Sequence, residues 1–208
     1  IASLGGTAVA TGSLLVTNGT ASADKIFALD PLTGVQLAVL DLGQDFDAVG
    51  GAYDAGRGTL FLLDANQDRI VELNPADGSI VNAFAAPFAI GTGGLAINPV
   101  SGNLWLGSNE SNDLAVITPS GSLVSIVDVA PMGINFDVSG LAFKDPYDLF
   151  VSSTDGEVRL VIDPTVNIPT NLTGNPGTTV IAPINIDNAN GVESVDLVLS
   201  YDTTLLDV

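Results

Sequence analysis

The residues best suited to chemistry sit in Asp64-Ala65-Asn66-Gln67-Asp68, where side-chain oxygens recur at alternate positions. Calcium takes about six to eight oxygen ligands, and Asp64, Asn66 and Asp68 could begin such a shell. The segment lacks the central Gly and the distant bidentate Glu of a helix-loop-helix calcium loop, so an Asx-rich turn between strands is the plainer reading and takes precedence. Ser108-Asn109-Glu110-Ser111-Asn112-Asp113 and Ser153-Thr154-Asp155-Gly156 are similarly polar and also follow apolar runs. With 24 acidic residues a carboxylate pair for acid-base work is available in principle, yet no motif marks one. The sequence holds no His and no Cys, which removes imidazole bases, the Ser-His-Asp triad, thiolate metal sites and disulfides. No catalytic residue is assigned, enzymatic activity is not expected, and calcium is the one cofactor considered. Trp105 occupies an apolar run whose counterparts carry Phe61 and Phe150, which reads as core packing rather than sugar stacking.

Charge narrows the partners further. Five basic residues, Lys25, Arg57, Arg69, Lys144 and Arg159, are scattered singly against the 24 acids, giving a formal net charge of −19. Binding to nucleic acid needs clustered Lys or Arg against the phosphates, so that partner is excluded, and an anionic membrane surface is disfavoured for the same reason. The acidity is expected to serve solubility through self-repulsion. Hydrophobic residues at 46% and charged residues at 14%, with 23 Gly and 11 Pro, describe a folded chain with many tight turns. No apolar run reaches the roughly 18 residues that span a bilayer as a helix. Sequons at Asn18, Asn109 and Asn171 could accept glycans outside a cell. The chain starts at Ile1 with neither Met nor a charged leader, from which a processed or partial polypeptide is expected.

The elements that must position these residues are set by an internal repeat. Four segments share one phrase: Lys25-Ile26-Phe27-Ala28-Leu29-Asp30-Pro31, Arg69-Ile70-Val71-Glu72-Leu73-Asn74-Pro75, Asp113-Leu114-Ala115-Val116-Ile117-Thr118-Pro119 and Val158-Arg159-Leu160-Val161-Ile162-Asp163-Pro164. Their prolines are spaced by 44, 44 and 45 residues. Each phrase alternates apolar and other residues before a turn closed by Gly34, Gly78 or Gly121, and a further strand follows. Upstream, Gly50-Gly51-Ala52-Tyr53, Gly93-Gly94-Leu95-Ala96 and Ser139-Gly140-Leu141-Ala142 open an earlier strand, with Leu60-Phe61-Leu62-Leu63, Leu104-Trp105-Leu106 and Leu149-Phe150-Val151 after it. Four short strands per repeat are the content of a propeller blade. The second strand of the first blade is placed at Leu14-Leu15-Val16.

These phrases resemble the NHL-type and related six- or seven-bladed β-propellers. The resemblance implies four visible blades of four strands over residues 1–165, with further blades expected outside this sequence. From Val166 the period stops. Asn175-Pro176-Gly177 leads into an alternating strand through Ile186, and Gly191 to Asp202 and Leu205 to Val208 read as further strands. This order, ending in Tyr201-Asp202 and Leu205-Leu206-Asp207-Val208, resembles the N-terminal part of a cohesin-type module, which implies a partial antiparallel β-sandwich over residues 166–208. In cellulosomal relatives such modules bind a calcium-loaded dockerin, whereas in other surface proteins they serve as spacers.

The expectation is an all-β structural or adhesive module of a large secreted bacterial surface protein or extracellular filament, acting in self-assembly at the cell surface. Its expected partners are other copies of itself, other surface proteins and glycans. The alternatives are a carbohydrate- or protein-binding propeller module and, behind it, a propeller hydrolase or lyase.

Overall fold

A computed structural model describes residues 3–19, 23–130, 137–145, 148–154, 156, 158–162, 166–167, 173–175, 177–181 and 183–186. Among these residues the regular structure is β throughout, save for a single 3₁₀ residue at Ala130. The chain divides into two compact units, Ile1–Val161 and Ile162–Val208.

The first unit opens with a small hairpin of β1 (Ser3–Leu4) and β2 (Thr7–Ala8). Four antiparallel sheets follow in chain order. The first holds β3 (Leu14–Thr17), β4 (Lys25–Leu29) and β5 (Gln36–Asp41). The second holds β6 (Ala48–Asp54), β7 (Thr59–Asp64), β8 (Arg69–Leu73) and β9 (Ile80–Ala85). The third holds β10 (Gly93–Ile97), β11 (Leu104–Ser108), β12 (Ser111–Ile117) and β13 (Leu123–Asp128). The fourth holds β14 (Val138–Phe143), β15 (Asp148–Ser153) and β16 (Val158–Ile162). In every sheet spatial order follows chain order, which is the meander of a propeller blade.

Local chemistry explains why the strands stop where they do. At the hairpin between the third and fourth strands, Asp30 Oδ1 accepts the N–H groups of Leu32 and Thr33, both at 2.9 Å, and Gly34 turns the chain back at φ 71°. Those two backbone donors hold the Asp30 carboxyl below its ordinary value. Asn74 does the same for Ala76 in the next blade, with Gly78 at φ 75°. An equivalent pair caps the hairpin between the first and second strands: Asp54 accepts from Gly56 and Arg57, and Asn98 accepts from Val100 and Ser101. Such Asx turns satisfy backbone donors that a strand end leaves open, while Gly takes the left-handed conformation. The register slips at one place in each complete third-to-fourth pairing, at Ala28/Leu29, Glu72/Leu73 and Val116/Ile117, so the bulge is part of the repeat.

The core lies between blades. One apolar cluster joins Ile26 and Leu40 to Leu60 and Leu62, a second joins Phe61 and Leu63 to Leu95 and Leu106, and a third joins Trp105 and Leu114 to Leu149 and Val151. The middle strands of the second and third blades are therefore buried on both faces, which is why β7 reads as a continuous apolar run rather than an alternating one. Inner strands meet glycine against glycine. A Cβ on Gly50 would stand 2.9 Å from the Gly93 carbonyl oxygen, and one on Gly94 would stand 2.5 Å from the Leu141 nitrogen.

Only the second and third blades hold four strands among the described residues. The fourth holds three. In the first, β3 stands at the sheet edge where β6 and β10 flank their neighbours, because the residues ahead of it fold differently. Leu4-Gly5-Gly6-Thr7-Ala8 restates Val49-Gly50-Gly51-Ala52-Tyr53 of the second blade's inner strand. Gly5 and Gly6 instead adopt φ 56° and 75° and close the β1–β2 hairpin, with Ser3 opposite Ala8 and Leu4 opposite Thr7.

In the second unit β17 (Val166–Asn167) pairs antiparallel with β18 (Asn185–Ile186). The strands expected over 191–208 lie outside the described residues.

Candidate functional site

The three calcium candidates sit together at the turn joining β7 to β8, and each is engaged by protein. Asp64 is fully buried; its Oδ2 accepts Arg69 Nε at 2.6 Å and its Oδ1 accepts the Gln67 N–H at 3.2 Å. Asn66 donates its side-chain amide to the Asp45 carbonyl at 3.3 Å. Asp68, held at a left-handed φ of 47°, accepts the Ile90 N–H at 2.6 Å, and its carbonyl takes the Ala86 N–H at 2.9 Å. Among the described residues no group of three or more acidic side chains is gathered as a metal site would require. The chemistry of this turn is that of a fastener: it pins the connections entering the second and third blades.

The same device recurs around the unit. Asp24, fully buried, accepts the N–H groups of Phe46 at 3.0 Å and Ala48 at 3.2 Å. In the third blade the work passes to neutral groups, as Asn109 Oδ1 accepts the Thr92 N–H at 2.6 Å and Ser108 accepts from Gly91 and Glu110. In the fourth, Thr154 donates its N–H to the Asp137 carbonyl at 3.1 Å, while Asp155 lies outside the described residues. Sequence reasoning missed Asp24, although the signal was present: it precedes Lys25 as Asp68 precedes Arg69.

Two further placements complete the polar inventory. Glu72, 1% exposed, receives two bonds from Arg57 at 2.9 and 3.1 Å and one from Thr59 at 2.7 Å. Burial pushes its carboxyl upward, but the bonds from Arg57 and Thr59 outweigh that and hold it below the ordinary glutamate value. Trp105 is buried and meets Phe143 of the next blade edge-on, with ring centroids 5.8 Å apart. Of the sequons, Asn18 Oδ1 accepts the Lys25 N–H, Asn109 is engaged as above, and Asn171 lies outside the described residues.

One concave feature among the described residues lies beside the first blade. A cavity of about 340 Å³ opens between β3 and β6, lined by Leu15, Val16 and Thr17 on one side and by Gly50, Gly51 and Tyr53 on the other.

Comparison with known proteins agrees with this geometry. A chain of the nidogen/laminin complex superposes at a TM-score of 0.57 and 13% identity, covering 73% of this chain and 58% of that one. Myxococcus xanthus glutaminyl cyclase superposes at 0.54 and 18% identity, covering 74% of this chain and 71% of its own. A streptogramin B lyase structure gives 0.49 and 20% identity, with this chain spanning 53% of its length. At such identities the first two likenesses establish the fold alone: the first unit is built of β-propeller blades. Residues 164–208 match the cohesin domain family. Among curated proteins none matches the sequence.

Proposed function

We propose that the chain is a structural or adhesive module of a large secreted bacterial surface protein or extracellular filament, acting in self-assembly rather than catalysis. The observation that carries this reading is the tandem arrangement, in which a propeller with glycine-locked blades is followed on the same polypeptide by a cohesin-family stretch. A propeller of this kind offers a stiff body with loops at both faces, and a cohesin-type module is suited to joining it to a further unit. In this reading the blades are NHL-like members of a six- or seven-bladed ring, the propeller occupies residues 1–165 and the sandwich begins at 166. The partners are other copies of the chain, other surface proteins and glycans, and calcium is not required at Asp64, Asn66 or Asp68, whose side chains already fasten loops.

The test is immunogold labelling of intact cells with antibody against this chain, together with the mass of the native polypeptide. Label on the surface or on filaments, and a mass well above 21.1 kDa, are expected. Label confined to the cytoplasm, or a short soluble monomer, would overturn the reading.

A further inference from the structure

We infer that the cavity between β3 and β6 is the seat of a β-strand, and that its occupant is Leu4–Val9 of this same chain, which exchanges between the observed hairpin and the inner-strand position of the first blade.

The seat is defined by what surrounds it. β3 pairs with β4 along one edge, and among the described residues its other edge carries no strand. The corresponding edges of β7 and β11 are filled by β6 and β10. A strand added to β3 in the register of the second blade would place its residues beside Leu15, Val16 and Thr17 and over Gly50, Gly51 and Tyr53, the residues that line the cavity. An unfilled sheet edge beside an apolar wall favours addition of an extended segment, since the backbone donors and acceptors are already aligned.

The occupant is identified by three properties of the segment. It carries the inner-strand phrase, with Gly5 and Gly6 standing where Gly50 and Gly51 stand 45 residues later. It has the small residues the position demands, because inner strands of adjacent blades approach so closely that a Cβ at Gly50 or Gly94 would collide with neighbouring backbone. It is also tethered at the right length. The link to β3 runs through Ala10 to Ser13 and turns at Gly12, φ 91°, as the link from β6 to β7 turns at Gly58, φ 72°; Ser13 N–H already bonds to the Ala10 carbonyl at 3.3 Å. A hairpin loop this short is ordinary for neighbouring antiparallel strands, so the segment reaches the seat without a second chain.

The observed hairpin is the competing state. There Leu4 is fully buried, Gly5 N–H bonds to the Pro75 carbonyl at 3.0 Å, and only two residue pairs form. The glycine pair serves both arrangements: left-handed φ values close the hairpin, and the missing side chains admit the segment between inner strands. Leaving the hairpin surrenders the Leu4 contact and gains a longer ladder along β3.

The test is hydrogen exchange of the β3 amides that face away from β4, in the full chain and two variants, with β7 and β11 as controls for folding. Leu4→Ala weakens the hairpin and is expected to slow β3 exchange by about tenfold or more. The double variant Ser3→Cys/Ala8→Cys, whose positions face each other in the hairpin, locks that state on oxidation and is expected to leave the same amides unprotected until it is reduced. The native sequence lacks Cys, so the engineered pair has no rival thiol. Identical β3 exchange in both variants would overturn the inference. Protection that rises with protein concentration would also overturn it, because the strand would then come from a second copy.

Discussion

The carboxylate of Asp24, just ahead of β4, accepts the backbone N–H of Phe46 in the segment after β5 at 3.0 Å, and Asp68, just ahead of β8, does the same for Ile90 after β9 at 2.6 Å, each spanning 22 residues. These two acids tie the loop leaving one blade to the start of the next. Replacing Asp24 with Ala strips acceptors from Phe46 and Ala48 in a buried setting, and about 2–4 kcal/mol of stability should be lost in urea unfolding. Asp24→Asn, which keeps an acceptor oxygen, should lose less.

The turn holding Asp64, Asn66 and Asp68 gives a prediction about ligands. Because Asp64 and Asp68 are committed to Arg69, Gln67 and Ile90, millimolar calcium should leave the thermal midpoint of the chain unchanged. A midpoint that climbs with calcium concentration and is flattened by Asp68→Ala would show a site here, since a ligand that binds the folded state stabilises it by mass action.

The Glu72 pair predicts the pH response. Its folded carboxyl lies below the ordinary 4.5, so the stabilisation is complete above that value and is lost as pH falls through the lower, folded value. Glu72→Gln should cost about 1–3 kcal/mol at neutral pH, and the gap from the native chain should narrow as pH falls below 4.5. Chemical denaturation across an acid pH series reads both effects.

The blade interface predicts a glycine effect. Gly94→Ala puts a methyl group 2.5 Å from the Leu141 nitrogen, and overpacking of this kind costs about 1–3 kcal/mol or more. Trp105, the one tryptophan in the sequence, packs on Phe143 across the same interface, so its emission should report the shift directly. Gly12→Ala strains its own turn, at φ 91°, but its Cβ meets open space, so that emission should stay unchanged.

What was legible in the sequence is what local chemistry writes there. The Asp30-Pro31 and Asn74-Pro75 turns repeat because one side chain caps each of them, and β3 falls at Leu14–Thr17, where the apolar run beginning Leu14-Leu15-Val16 places it. Strand β5 starts at Gln36, after Val35 has supplied its carbonyl to the Asp30 N–H and closed the turn. Leu4–Ala8 could not be assigned by pattern. A glycine pair is compatible with an inner strand and with a left-handed hairpin, and only the buried seat of Leu4 and the bond to Pro75 select the observed form. Asp24 carries a positional signal, preceding Lys25 as Asp68 precedes Arg69, but its partners are not legible, since they lie 22 and 24 residues away and are backbone groups that any residue carries.

Light scattering on the native polypeptide over a wide concentration range tests the proposed assembly role most directly. Discrete assemblies that grow with concentration are predicted; a monomer at every concentration, with no higher species on addition of other surface components, would contradict it.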